Sequence, residues 1–491
     1  MVRIASVYNM NAIKLLSGHK TVDPPAPTQT APVVPPTPTK LFSITLPEDS
    51  SASLSDALSV VAIKDKKLKV LFCGTYPIGQ SNGYSRVVYY IAKNLGLKTD
   101  IDLTIYGFQN FKQTAGDLRS DIPTNVKLHD AFSTEDPKRN GFGEKEIGTF
   151  LKANPQDIII IFNDMVITSA LAQTILTDLS PEERSKFKLV SYMDQVYPYQ
   201  KPHYIKVLNQ FFDAVITFTP YWRTVVHKLG LDPNKPCYVC PHGFDHELYY
   251  PIPKSLARIY FNVPDEAFVI LNLNRNQPRK RWDHTMMAFA EVVKRQYELT
   301  KKAQIDNEPA PRPVRLMIAT AVDGFWNLAE IFENELRVRG VPPEYGQQCL
   351  VSINKPQQIS DKDINILYNA CDVGLNTCEG EGFGLCQIEH AAVGHAQVAP
   401  AIGGLQDFLA DSHSKLIKPK WNYYIDKHRD GIGGIAEVSD PAEFADAMWH
   451  YYINSDLCEG HGKAARKYIL QHYRWPDICD NLYNIIKTIV K

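Results

Sequence analysis

The sequence predicts an α/β protein made of two doubly wound domains, each a parallel sheet flanked by helices, facing one another across a cleft. Short apolar runs bounded by Gly or Pro alternate with segments of helical spacing. That alternation occurs twice, interrupted near residues 246–266 by Pro251 and Pro253. A chain of 491 residues also exceeds one ordinary domain and suits two. With 44% hydrophobic and 22% charged residues, it can fill both cores. A net charge of −1 gives no general pull towards nucleic acid or anionic membrane.

Residues 22–39, "VDPPAPTQTAPVVPPTPT", are rich in Pro, Thr and Ala and cannot pack a core. Residues 1–66 are therefore expected to be a flexible arm, serving as a linker or as a contact for a protein partner. The lysines of "KDKKLK" (Lys64–Lys69) read as a solvated lead-in to the first strand. Val70, Leu71, Phe72 and Cys73 form an unbroken apolar run, as a doubly buried parallel strand requires. A loop with Gly74, Pro77, Gly79 and Gly83 follows. Val88, Ile91, Ala92 and Leu95 then mark a helix that Gly96 stops. "DLTIYG", "DIIIIF", "KLVSYM" and "AVITFT" continue the first set of strands, and "FVILNLNR", "VRLMIAT", "CLVSIN" and "DVGLNT" form the second. The expected divisions are an arm at 1–66, a first domain at 67–248, a second at 249–470 and a terminal helix at 471–491.

Nine cysteines are scattered along the chain, and Cys237 and Cys240 are the one close pair. No second pair stands at zinc-ribbon spacing, so buried free thiols in a reducing compartment are expected. No apolar run reaches the ~18 residues of a membrane helix, and residues 1–21 lack the marks of a signal peptide.

Two stretches carry chemistry. In "NLNRNQPRKRWDHTMMAF" (272–289) a strand ends, Arg275 follows, and Lys280 precedes a helix with Trp282, Met286, Phe289, Ala290 and Val293 on its apolar face. Two cations on a strand-end loop beside a helix N-terminus form a candidate diphosphate clamp, or else a solvated basic loop. In "NTCEGEGFGLCQIEHAAVGHA" (376–396) a strand ends, glycines break the chain, and Leu385, Ile388 and Ala392 mark a helix. Glycines there let backbone amides approach a ligand. Glu381 and Glu389, eight residues apart, could each accept hydrogen bonds from sugar or ribose hydroxyls. Glu379 falls outside that spacing and is expected to be a surface charge. Gly403-Gly404 makes either a tight turn or another close backbone approach.

These motifs, in this order, resemble the GT-B-fold glycosyltransferases of family four, mostly retaining enzymes. Arg275 and Lys280 match the family's Arg-x4-Lys pair, and Glu381-Gly-Phe-Gly…Glu389 its E-x7-E signature. "CDVGLNT" is similar to the strand before it and "GGIAEVSDPAEFADAM" to the segment after it. "CPHGFDHELYYP" is similar to the element closing the first domain, with His242 in the place of Asn. The resemblance is firm over 235–480, looser over 67–234, and absent from 1–66.

The resemblance implies a GT-B fold whose last helix crosses back to the first domain near Trp475. Ile478, Leu482, Ile485, Ile486 and Ile489 give that helix an apolar face. It also implies transfer of a hexose from a UDP- or GDP-sugar to a hydroxyl on a glycan, lipid or protein, with retention. Arg275 and Lys280 would hold the diphosphate, Glu381 the sugar and Glu389 the ribose. Phe383, Gly384 and Leu385 would line the donor site, and Gly79 and Gly83 would approach it from the first domain. The family's first-domain His has no counterpart in "IIIIFNDMVI". Asn163 and Asp164 stand there, and Asp194 in "SYMDQVYP" lies at another strand end; each Asp either serves the acceptor, by binding its hydroxyls or as base, or caps a helix. Asp407 stands where the family has Glu. Asp361-Lys-Asp363 and Asp100-Ile-Asp102 read as structural, so no metal or cofactor is expected. A cytoplasmic setting is expected, with peripheral membrane contact left open for the Tyr- and Lys-rich stretch 192–206. An epimerase or phosphorylase, and a non-catalytic nucleotide-sugar-binding scaffold, are the alternatives.

Overall fold

Strands buried on both faces need unbroken apolar runs, and both main sheets of the computed structural model are built this way. The structure describes residues 67–80, 82–111, 119–135, 140–353, 360–426, 429 and 432–491. The expected arm at 1–66 lies outside them. Leu68–Lys491 gather into one compact unit.

The first sheet contains β1 (Leu68–Thr75), β2 (Ile101–Phe108), β3 (Lys127–Asp130), β4 (Ile158–Asp164), β5 (Lys188–Asp194), β6 (Ala214–Thr217) and β7 (Cys237–Val239). Their order is β3-β2-β1-β4-β5-β6-β7, all parallel. The second contains β8 (Phe268–Asn272), β9 (Val314–Ile318), β10 (Leu350–Ser352), β11 (Val373–Leu375), β12 (Ala396–Pro400) and β13 (Lys415–Ile417). Their order is β10-β9-β8-β11-β12-β13, again parallel. The two-domain α/β architecture expected from the sequence is thus the one observed. A separate antiparallel hairpin, β14 (Trp421–Ile425) with β15 (Gly434–Val438), follows β13.

The strand order fixes where a ligand can sit. Strand order reverses between β1 and β4 in the first sheet and between β8 and β11 in the second. In such sheets the crevice opens at the carboxyl ends of the two strands flanking the reversal. In the second sheet these ends carry the loop with Arg275 and Lys280 and the loop with Glu381. In the first they carry the Gly79–Gly83 loop and Asp164.

The expected helix begins earlier than its apolar spacing marks, at Gly83, and spans Gly83–Leu95, with the Asn82 side chain accepting from Ser85 N–H. Gly96 ends it without a left-handed turn, at φ −60°. A Cβ there would come within 2.5 Å of Val126 and 2.7 Å of the Ala92 carbonyl, so close packing explains this glycine. The final helix, Trp475–Val490, crosses back to the first domain. Trp475 stacks on Tyr90 at 4.9 Å, and Cys479 Sγ reaches the Tyr90 carbonyl at 3.6 Å. Just before it the chain runs beside the segment that leaves the first domain. Phe244 N–H donates to Tyr473 O at 2.8 Å, and Trp475 N–H to Phe244 O at 3.4 Å. All nine cysteines are free, seven of them buried. No described helix is long and apolar enough to cross a membrane.

Candidate active site

The basic run Arg279-Lys280-Arg281 lies along the opening of the 379–384 loop. Pro278–Lys280 forms one 3-10 turn, and Arg281 takes a left-handed backbone at φ 46° before the helix Trp282–Asp306. Trp282 Nε1 donates to the Arg275 carbonyl at 3.2 Å and anchors the turn. Each basic side chain then meets its own partner. Arg279 Nη1 donates to Gly380 O at 2.8 Å. Lys280 Nζ donates to the Glu381 carboxylate. Arg281 Nη1 donates to Glu379 at 3.1 Å. Burial pushes the Glu381 carboxyl up, but Lys280 and Arg279 outweigh it and hold it below its ordinary range. Arg275 forms no ion pair among the described residues, and its side chain is exposed. Of the four cations here it is the one without a carboxylate partner among the described residues.

Glu379 is not a surface charge. It is 1% exposed and is held by Arg281, Arg429 and the Tyr423 hydroxyl. The expectation failed because the β14–β15 hairpin folds over the loop and supplies Tyr423, with Arg429 from the segment between its strands. Glu437 N–H of β15 also donates to the Glu379 carbonyl at 3.3 Å.

Beyond Glu381 the loop runs through Phe383, whose buried ring lies 5.0 Å from His242 and 5.3 Å from Phe408. Gly384 sits at φ 103° and starts the helix Leu385–Ala392. The Gln387 and Ile388 N–H groups both donate to the Gly384 carbonyl at 3.1 Å, which leaves the N–H groups of Leu385 and Cys386 at the helix start without a partner within it. Gly403-Gly404 does make a close backbone approach, to this loop. A Cβ on Gly403 would stand 2.0 Å from the Glu381 carbonyl, and one on Gly404 2.4 Å from that of Gly382. Asp407 follows in the short helix after this pair and accepts from Tyr221 N–H of the first domain at 3.4 Å.

The first domain closes directly on this wall. Leu385 Cδ1 would meet a Cβ on Gly83 at 3.2 Å, and Gly79 takes a left-handed turn at φ 70°. Trp222 Nε1 donates to Gly382 O at 2.6 Å. Asp194 accepts from the Tyr84 hydroxyl at 2.5 Å, while its other oxygen faces Gly382 without a partner. Burial raises Asp194 to about 6, with Tyr84 and Arg279 opposing. Asp164, by contrast, caps the helix Met165–Asp178 through the N–H groups of Val166 and Ile167. Burial raises its carboxyl too. Asn163 is turned to the neighbouring backbone, accepting from Asp164 N–H.

Glu389 is 1% exposed and already engaged. Arg86 Nη1 lies 2.5 Å from one of its oxygens, and the Tyr368 hydroxyl donates to the other at 2.9 Å. Arg86 also reaches Asp361 at 3.3 Å, and Arg119 meets Asp361 at 3.2 Å. Burial works against the Arg86 charge, yet Glu389, Tyr249 and Asp361 hold its guanidinium more firmly protonated than usual. Burial also lifts the Glu389 carboxyl, and Arg86 and Tyr368 offset this only in part.

Sequence reasoning missed Tyr84, Arg86 and Arg119. Tyr84 and Arg86 share the first turns of the helix after the glycine loop, and polar residues amid "GYSRVVYY" were the available signal. The Asp-x-Asp triplets are taken up by ion pairs and a helix cap. Asp361 joins the two arginines, Ser360 caps Asp363 N–H, Asp102 pairs with Lys127, and Asp100 pairs with Lys487. Among the described residues no three His, Cys, Asp or Glu side chains group as metal ligands.

Two parallel-sheet domains with their switch points turned to a common cleft, and a last helix returned to the first domain, define the GT-B architecture. No family model matches the chain. It is 32% identical over 206 residues to a D-inositol 3-phosphate glycosyltransferase of Stackebrandtia nassauensis, covering 42% of each chain. It is 27% identical over 227 residues to one of Geodermatophilus obscurus, covering 46% of this chain and 42% of that one. The chain thus spans less than half the length of these relatives. Among solved structures, sucrose-phosphate synthase of Thermosynechococcus elongatus superposes with a TM-score of 0.61 at 16% identity, over 86% of this chain and 99% of that one. Anabaena HepE in complex with UDP and glucose gives 0.58 at 16%, over 86% and 99%. The chain shares the GT-B fold of these structures and is similar in sequence, over part of its length, to named glycosyltransferases.

Proposed function

We propose that the chain transfers a hexosyl group from a UDP- or GDP-linked sugar to a hydroxyl acceptor, with retention and without an essential metal. The observation that carries this reading is the pairing of loops at the second sheet's switch point. Arg275 has no carboxylate partner there among the described residues, Lys280 and Arg279 converge on Glu381, and a glycine-rich helix start adjoins them. That is one cationic, amide-lined wall of the right character for a diphosphate. Relatives and neighbours are named for sugar transfer, and one neighbour, Anabaena HepE, is known in complex with UDP-glucose.

In this reading Arg275 and Lys280 neutralise the leaving nucleotide as the glycosidic bond breaks, stabilisation aimed at the transition state. Entry of the diphosphate would draw Lys280 partly off Glu381 and free that carboxylate for the sugar hydroxyls. Glu389 would take the ribose while keeping Arg86. Asp194, facing Gly382 with one open oxygen, is the acceptor-side group; Asp164 is spent on its helix. The free thiols fit a reducing compartment such as the cytoplasm. A non-catalytic nucleotide-sugar-binding role is the second reading, favoured by the lack of a first-domain His in "IIIIFNDMVI".

A thermal-shift panel of UDP-, GDP- and ADP-sugars tests the donor site. A donor at ~100 times its Kd stabilises by about 2.7 kcal/mol. No shift with any of them would overturn the assignment. Slow hydrolysis of the donor that binds separates an enzyme from a binding protein.

A further inference from the structure

The β14–β15 hairpin does more than cover Glu379. In an antiparallel ladder, residues directly opposite one another share a face. Tyr424 stands opposite Ile435, and Ile435 in turn opposite Tyr199 of the first domain. Ile435 N–H donates to the Tyr199 carbonyl at 3.0 Å. A cross-strand row Tyr424–Ile435–Tyr199 therefore spans both domains on one face, its ends roughly 10 Å apart, two strand spacings. Both tyrosines are exposed, Tyr424 by 67% and Tyr199 by 54%.

The next row on the same face is polar. Asn422 stands opposite Glu437. Neither side chain has a hydrogen-bond or ion-pair partner among the described residues. Tyr221 lies beside them: burial raises its hydroxyl, and Glu437 and Tyr199 add to the effect. This face is joined to the cleft by backbone. β15 bonds through Glu437 N–H to Glu379 of the donor loop, and Tyr199 follows Asp194 by five residues.

We infer that this face is an acceptor subsite for a neutral glycan, a reading that rests on the glycosyl transfer proposed above. Tyrosine rings offer flat apolar faces to the C–H side of a pyranose. A free carboxylate and a free amide next to them accept and donate hydrogen bonds to ring hydroxyls. The Glu437 carboxylate, with no cation to balance it, disfavours a phosphate or an anionic lipid at the same place. The distance between the tyrosines matches two linked sugars. Because Tyr199 comes from the first domain and Tyr424 and Ile435 from the hairpin, the row is complete only when the two domains are together.

Saturation-transfer NMR on the full chain tests this, with maltotriose, cellotriose and mannotriose each offered in the presence of UDP. The expected result is transfer to UDP and to at least one trisaccharide. Tyr424→Ala should weaken that trisaccharide about tenfold, ~1.4 kcal/mol, and Glu437→Gln by a smaller factor, with UDP unchanged in both. Saturation of UDP with no trisaccharide responding would overturn the subsite and leave the donor reading standing. Trisaccharide signals equal in wild type and both variants would also overturn it. Silence from UDP and sugars alike would overturn the donor reading and the subsite with it.

Discussion

Replacing Asp194 by Asn separates the charge of this carboxyl from its shape. Asp194 rises from 3.8 to about 6 because burial disfavours its charge. A shift of roughly two units at 1.36 kcal/mol per unit bounds the cost of ionising it in the fold at about 3 kcal/mol. The residue keeps some solvent contact, so about 1–3 kcal/mol is the expected range. The sign follows from linkage: the folded value exceeds the unfolded one, so the stabilisation is fully present below about pH 4. It is lost as pH rises through about 6. Asn cannot ionise and still accepts from Tyr84. Urea unfolding at pH 4, 5.5 and 7 should show the two proteins nearly equal at pH 4. The Asn variant should be more stable at pH 7. Parallel pH profiles would refute the reasoning. Transfer to an acceptor, once one is known, should lose its acid limb near pH 6 in the variant and fall well below wild type at pH 7. Full turnover there would remove Asp194 from the reaction.

Lys280→Ala strands the buried Glu381 beside Arg279 alone; it should destabilise by about 3–5 kcal/mol in chemical unfolding and weaken donor binding. Lys280→Met with Glu381→Gln should regain much of the stability but not the donor affinity in a thermal-shift assay. Arg86→Ala leaves the buried Glu389 without its cation, near Asp361 of the same domain; a stability loss of about 3–5 kcal/mol is expected, and Glu389→Gln in the same background should recover part of it. Gly403→Ala, at φ 50° against the Glu381 carbonyl, should cost about 1–3 kcal/mol and raise the donor KM. A wild-type melting curve for that variant would show that the loop has room.

The candidate donor wall was legible because strand ends are. "FVILN" and "VGL" stop where Arg275 and Glu381 begin, and a parallel sheet puts those ends on one edge. Arg86 and Tyr84 were not, because they sit on a helix whose apolar spacing explains it without them; only the folded chain shows that its first turns meet Glu389 and Asp194. The hairpin was missed for a different reason. "WNYYI" and "GIAEV" are short, half polar and lack a two-residue turn signal between them. With the hairpin unseen, nothing in the sequence could show that Glu379 was covered. β3, "KLHD", hid in the same way, as an edge strand with no apolar run to mark it.

The chain passes between the domains twice, near Phe244 and near Tyr473, and the two passages bond to each other as neighbouring strands. A pair of tethers at opposite ends of a cleft would lock it. Two tethers side by side act as a single hinge, with one free rotation and its axis at Phe244–Arg474. Opening about that axis must part Arg86 from Glu389, Arg119 from Asp361, Trp222 from Gly382, Tyr221 from Asp407 and Tyr199 from Ile435 together. Opening the cleft and uncovering the Glu381 loop are then one motion, set by how tightly those contacts hold.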